Sequence, residues 1–284
     1  MNRELRQTVE RELGSAVLDV APASGGCIHE TWLVTLGNGE CFVKTSREAP
    51  EGLFEAEAEG LAALAQGGLR APVVLTVGFE PQPHLVLEAI APGRPRPDFG
   101  RRLGHDLARL HLGSTAVAYG WRRDNWLGPT PHANAWGCSW PEFFGQRRLA
   151  PLLARLVEHD APAELLKLGD RLLARLDQVL AGPPPRASLL HGDLWHGNVL
   201  CGPDGDPVVI DPAVSYGEAE FELAMPALFG GFDPGFASAY HELLPPAEGF
   251  ERRLAVYRLY HLLNHLLIFG SSYVGQSLAI LRAI

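Results

Sequence analysis

Residues 191–198 read His-Gly-Asp-Leu-Trp-His-Gly-Asn, with apolar Leu189-Leu190 before them and Val199-Leu200 after. A turn sequence follows, Gly202-Pro203-Asp204-Gly205-Asp206, and then Val208-Val209-Ile210 ending in Asp211. The turn folds two short apolar strands into a hairpin. An Asp and an Asn therefore stand five apart on one loop. A second Asp closes the returning strand, where its carboxylate can point back at the first two. Any fold for this chain has to present that loop and that strand end together.

The rest of the chain divides in two. An N-terminal helix precedes strands at 16–22 and 30–36, which flank Ser24-Gly25-Gly26-Cys27. Gly37-Asn38-Gly39 predicts a hairpin turn into a strand over 40–44, because Asn-Gly suits turns that match strand twist. Residues 51–66, rich in Glu, Ala and Leu, predict a helix, and strands follow over 72–78 and 84–90. After Ala91-Pro92-Gly93 the pattern turns helical, over 98–114, 141–160 and 162–180. Gly182-Pro183-Pro184-Pro185 breaks it before a strand region over 188–211, and from Glu218 the chain is again mostly helical. A small sheet lobe over 1–90 and a larger helical lobe over 91–284 are expected.

Composition excludes several classes. At 284 residues and 46% apolar content the chain can bury a real core in two lobes. Its 24 basic against 33 acidic residues give a net charge of −9, which argues against nucleic acid or an anionic membrane as main partner. Four scattered cysteines offer neither a disulfide framework nor a zinc spacing. The opening residues are charged rather than apolar, so no export signal is expected and a cytoplasmic location is.

Transfer of a phosphoryl group from ATP needs the set that residues 193–211 supply: a carboxylate to orient and deprotonate a hydroxyl, and oxygen ligands for Mg²⁺ on the phosphates. Asp-x-x-x-x-Asn followed by a second Asp matches the spacing of a kinase catalytic loop and its metal-binding partner. Against this stand a plain polar turn with a capping Asp, and a metal hydrolase using His191, Asp193, His196 and Asp211. The hydrolase leaves the N-terminal lobe without a task.

The loop His191–Asn198, with Asp211-Pro212-Ala213, resembles the aminoglycoside-phosphotransferase-like kinases and, more narrowly, the fructosamine kinase (ketosamine-3-kinase) family. Asp124-Asn125-Trp126-Leu127-Gly128-Pro129-Thr130-Pro131 and Phe229-Gly230-Gly231-Phe232 are the most specific shared segments. The resemblance implies a bilobal protein-kinase-like α+β fold. It also implies ATP- and Mg²⁺-dependent phosphorylation of a small-molecule or protein-bound ketosamine at the sugar O-3. Kinases of choline, homoserine or aminoglycosides, and a nucleotide-binding pseudokinase regulator, are the alternatives.

Specific roles follow. Asp193 is expected to be the base, with Asn198 and Asp211 as metal ligands. Lys44, one of only two lysines beside 22 arginines, ends a strand where its compact charge suits phosphates. Its glutamate partner should be Glu57, the one of three candidates on the helix stripe of Phe54, Leu61 and Leu64; Glu55 and Glu59 should be solvated. Gly25 and Gly26 would let backbone approach phosphate, and Cys27 shares their loop. Glu88 and Ile90 fall where an interlobe hinge would offer peptide groups to adenine. The window Trp121–Trp140, with Asp124, Asn125, His132 and Asn134, suits either a sugar site or a core cap. Trp126, Trp195 and His196 are candidates for the substrate side, His196 standing where the family usually has a small residue. His111 and Glu222 should be structural.

Overall fold

The computed structural model describes residues 1–23, 29–182 and 186–284. They gather into two compact units, Met1–Phe99 with Asn198–Pro212, and Gly100–Gly197 with Ala213–Ile284. The first unit thus runs past residue 90 and takes in the hairpin bearing Asn198 and Asp211, which the two-lobe expectation groups with residues 91–284.

In the first unit, helix α1 (Arg3–Leu13) starts at Asn2, whose side chain accepts the Leu5 N–H at 2.8 Å, and ends at Gly14 with φ +60°. Strands β1 (Val17–Pro22), β2 (Glu30–Leu36) and β3 (Gly39–Thr45) follow, then helix α2 (Leu53–Gln66), β4 (Val74–Gly78) and β5 (His84–Glu88). They form one antiparallel sheet in the order β1-β2-β3-β5-β4. Leu36 pairs with Gly39, so β2 turns into β3 where the Asn-Gly signal predicts.

Side chains alternate across a strand. Cys41 and Val43 of β3 pack with Leu5 and Val9 of α1 and with Val17, Val34 and Val86. Lys44 is thereby turned to the opposite face, in register with Thr31 and Leu85. There α2, which buries Phe54, Leu61 and Leu64, brings its own residues to meet it. The hairpin of this unit pairs Val199–Cys201 with Pro207–Val209.

The second unit is mostly helical. Its centre is the 20-residue helix Phe250–Phe269, with Leu254, Val256, Tyr257, Leu259 and Tyr260 buried. Tyr257 and Tyr260 stack into an aromatic core with Phe144 and Phe221, at centroid distances such as 5.4 Å for Phe144–Tyr257 and 5.5 Å for Phe221–Tyr260. The helix expected over 141–160 is Trp140–Phe144 and Ala150–Glu158 joined through a wide π turn, Gly145–Leu149. The one expected over 162–180 is split at Ala174-Arg175 into Ala163–Leu173 and Leu176–Val179. A three-stranded sheet orders Ser215–Glu218, Ala187–Leu190 and Thr115–Ala116, and Asn125–Leu127 pairs with Thr130–His132. No helix among the described residues is long and apolar enough to cross a membrane.

Candidate active site

Lys44 is 6% exposed, and its ammonium donates to Glu57 Oε1 at 2.6 Å and to Asp211 Oδ1. Burial opposes the charge. The carboxylates of Glu57 and Asp211 outweigh it, holding the ammonium above the ordinary lysine value. Two carboxylates around one ammonium leave a net charge of −1, and the Asp211 side chain is 37% exposed against 13% for Glu57. Asp211 also has φ +56°, a left-handed conformation that is uncommon away from glycine and recurs at functional sites.

The expected partner of Lys44 is therefore the one it has. Residues 55 and 59 are turned about 200° away from Glu57 around the helix. That other flank is itself half covered, so Glu55 and Glu59 are half-buried, and Glu59 has a partner of its own. The expectation of two solvated carboxylates is corrected accordingly. His29, which no motif in the sequence marks, stacks edge-on against Phe54 at 5.5 Å. Burial first, then the nearby Lys44 charge, lower its pKa, with the Asp211 carboxylate opposing them. Gly25, Gly26 and Cys27 lie outside the described residues.

In the second unit the loop bearing Asp193 is fixed from behind. The N–H groups of His191 and Gly192 donate to the two carboxylate oxygens of Glu222, the latter at 3.0 Å. His191 is fully buried; its carbonyl accepts the Ala213 N–H at 2.8 Å, and its Nδ1 accepts the Asp193 N–H at 3.3 Å. Gly192, at φ +84°, runs so close to Ala213 that a Cβ would lie 2.1 Å from its carbonyl oxygen. His111 is buried, shares a hydrogen bond of 2.8 Å with the Tyr240 hydroxyl, and stands 3.8 Å from Glu222. Glu222 and His111 thus support the loop from within the unit. Among the described residues, no three His, Cys, Asp or Glu side chains come together as a metal site.

The remaining candidates separate by burial. Glu88 ends β5; its N–H donates to Val73 O at 2.8 Å, and its carboxylate accepts the Val73 N–H at 3.0 Å and pairs with Arg70. Ile90 is half-buried two residues on. In the tryptophan window, Trp121 and Trp140 are core residues, whereas Trp126 is half-buried and Trp136 is 51% exposed beside Tyr216. The polar residues there bind one another: Asp124 accepts the Asn134 N–H at 2.7 Å, Asn134 donates to Asn125 at 2.9 Å, and His132 meets Tyr260. Trp195 and His196 pack edge to face at 4.8 Å, and His196 is exposed. Gly231, at φ +89°, approaches the His196 ring so closely that a Cβ would lie 2.5 Å from it.

A Synechocystis protein named as a probable ketoamine kinase is 37% identical, over 91% of this chain and 88% of its own length. The chloroplastic protein-ribulosamine 3-kinase of Oryza sativa subsp. indica is 36% identical, over 93% and 78%. The crystal structure of a candidate fructosamine-3-kinase from Thermobifida fusca superposes with a TM-score of 0.88 at 35% identity, covering 98% of this chain and 97% of that one. An aminoglycoside phosphotransferase solved with AMP-PNP and hygromycin B, at 16% identity, shares the fold with a TM-score of 0.69, covering 98% and 97%. The fold is the α+β fold of these kinases, with its antiparallel sheet in the N-terminal region and its helices in the C-terminal region. Since the family model for fructosamine kinase matches residues 1–284, this chain belongs to the fructosamine kinase family.

Proposed function

We propose that this chain transfers the γ-phosphoryl group of ATP to a sugar hydroxyl of a ketosamine, a fructosamine or ribulosamine, at O-3. The observation that carries the chemical part is Lys44, buried between the carboxylates of Glu57 and Asp211. A lysine held in that way is a fixed point charge for phosphate oxygens. Family membership carries the choice of acceptor.

The residues fit Mg²⁺. Asn198 and Asp211 can each present a side-chain oxygen, Asp211 stays partly exposed, and the Lys44 triad has a net negative charge to neutralise. Mg²⁺ is bound by one or two such ligands together with substrate phosphates. It would neutralise charge on the phosphoryl oxygens during transfer. Asp193 would orient the acceptor hydroxyl and take its proton, on a loop that Glu222 has already ordered, so positioning supplies much of the rate. Glu88, whose N–H donates to Val73 O, and Ile90 stand at the end of β5 and on its exit, and their peptide groups are assigned to the adenine edge. Trp195 and His196, with Trp126, are assigned to the sugar and its amine, where an aromatic face can stack on C–H groups. Gly25 and Gly26 are assigned to the phosphates.

The test is a panel. Purified protein is given ATP, Mg²⁺ and, in turn, free and protein-bound fructosamines and ribulosamines, choline, homoserine and an aminoglycoside, and ADP release is followed. The proposal expects turnover with ketosamines alone. Turnover with choline, homoserine or an aminoglycoside but not with ketosamines would replace the acceptor. Nucleotide binding without turnover on any of them would leave a regulator.

A further inference from the structure

We propose that the segment 91–98, which follows β5, is a clasp that positions the two metal-side residues, with Gly93 and Arg96 as its positioning residues. The inference rests on the assignment of Asn198 and Asp211 to Mg²⁺ made above.

Asn198 opens the hairpin of the first unit and Asp211 closes it, so the hairpin's placement decides where both residues stand. The segment 91–98 lies along its turn, backbone to backbone. The Gly93 N–H donates to Cys201 O at 3.0 Å, and the Arg96 N–H donates to Gly205 O at 3.3 Å. The approach is close enough that a Cβ at Gly93 would lie 1.8 Å from Gly202 O, a contact no real side chain makes. From the other side Gly205, at φ +84°, would put a Cβ 2.8 Å from Arg94 O. Arg96 then spans the turn: its Nε donates to Asp204 O at 2.9 Å and stands 3.6 Å from Asp206 Oδ1. At the far end of the hairpin, Val209 N–H donates to Arg70 O at 2.8 Å, and Arg70 pairs with Glu88 at the end of β5.

The hairpin is thus fastened at its turn by the chain that leaves β5 and at its open end by the residue paired to β5. Ile210 N–H, donating to Asn198 O at 3.0 Å, holds the two ends of the hairpin together beside Asp211. Moving the turn away from residues 91–98 tilts the whole hairpin. Asn198 and Asp211 then shift, whereas Glu88 and Ile90 stay on β5 and its exit. The clasp therefore acts on metal-dependent nucleotide binding and leaves recognition of the base alone.

Calorimetric titration tests this. Adenosine, and AMP-PNP with and without Mg²⁺, are titrated into the wild-type chain, Gly93→Ala, Arg96→Ala and, as a control for Gly-to-Ala change, Gly275→Ala. Gly93 does not have a left-handed φ, so Ala there tests space alone, and a Cβ at Gly275 meets nothing within 4 Å. The Mg²⁺-dependent gain in AMP-PNP affinity should fall at least about tenfold in Gly93→Ala and about threefold in Arg96→Ala, while adenosine affinity stays within about twofold. Arg96→Ala opens no backbone clash, so it keeps the test valid if Gly93→Ala fails to fold. An unchanged gain in Arg96→Ala overturns the clasp. So does an equal loss of adenosine and Mg²⁺·AMP-PNP affinity, which is what a purely structural role would produce. A wild-type chain with no Mg²⁺-dependent gain overturns the metal assignment itself, and the clasp's task with it.

Discussion

Replacing Lys44 separates a fixed clamp from a mere positive charge. The ammonium lies 2.6 Å from Glu57 and in contact with Asp211, with 8% of the side chain exposed. A charge-assisted hydrogen bond of that kind contributes about 1.5–3 kcal/mol, so Lys44→Met should lower kcat/KM for ATP by roughly 10- to 150-fold. Breaking a buried pair by removing one partner costs about 3–5 kcal/mol of stability, offset here to the extent that Glu57, which burial pushes up in pKa, takes a proton. Lys44→Arg keeps the charge. The planar guanidinium is too large for the gap between the two carboxylates, so its defect should approach that of Met. Glu57→Gln should share the loss, and the Lys44→Met/Glu57→Gln double variant should be less than additive, with a coupling of about 0.5–3 kcal/mol. Glu55→Gln, on the other flank of α2, is the control. Steady-state kinetics over ATP concentration, with urea unfolding of each variant, decide it. An active Lys44→Arg enzyme, or strictly additive effects, would refute the clamp.

Other consequences are independent of that pair. Asp211→Asn should raise the Mg²⁺ concentration needed for AMP-PNP binding by at least about tenfold while leaving adenosine affinity unchanged, read by calorimetry. Glu222→Gln leaves one of two buried backbone N–H groups facing an amide instead of an oxygen. It should cost about 1–3 kcal/mol in urea unfolding and lower kcat more than it raises KM for ATP. Glu218 is pushed up to about 7 by burial, against the opposing hydrogen bond from Tyr257. Because the folded value exceeds the unfolded one, its contribution is full below about pH 4.5 and is lost as pH rises to about 7. Glu218→Gln should therefore abolish a decline of about 3 kcal/mol between pH 5 and 8 in denaturant midpoints.

Where the sequence carried its signal in periodicity, the structure follows it. Glu57 was legible because a helix repeats its face, and three apolar residues on that face leave one glutamate among them. Lys44 was legible because it is one of only two lysines beside 22 arginines and ends a strand. The strands Ser215–Glu218 and Asn125–Leu127 were not: three or four residues hold too few alternations to separate a strand from a loop. Pairings such as Gly93 with Cys201 join residues far apart in sequence through backbone groups, which every residue carries, so the grouping of 198–212 with the first unit left no mark on residue type. Glu59 was misjudged for a related reason: the stripe identifies the buried face, but says nothing of how far neighbouring chain covers the flanks.

Single-turnover transfer from ATP to a defined fructosamine, followed by NMR of the product and repeated with Asp193→Asn, addresses the central claim directly. The account predicts phosphate on O-3 of the sugar with the wild-type chain. It predicts transfer slowed at least about 100-fold in Asp193→Asn with ATP affinity little changed. Phosphate at another position, or an Asp193→Asn chain that transfers at the wild-type rate, would contradict it.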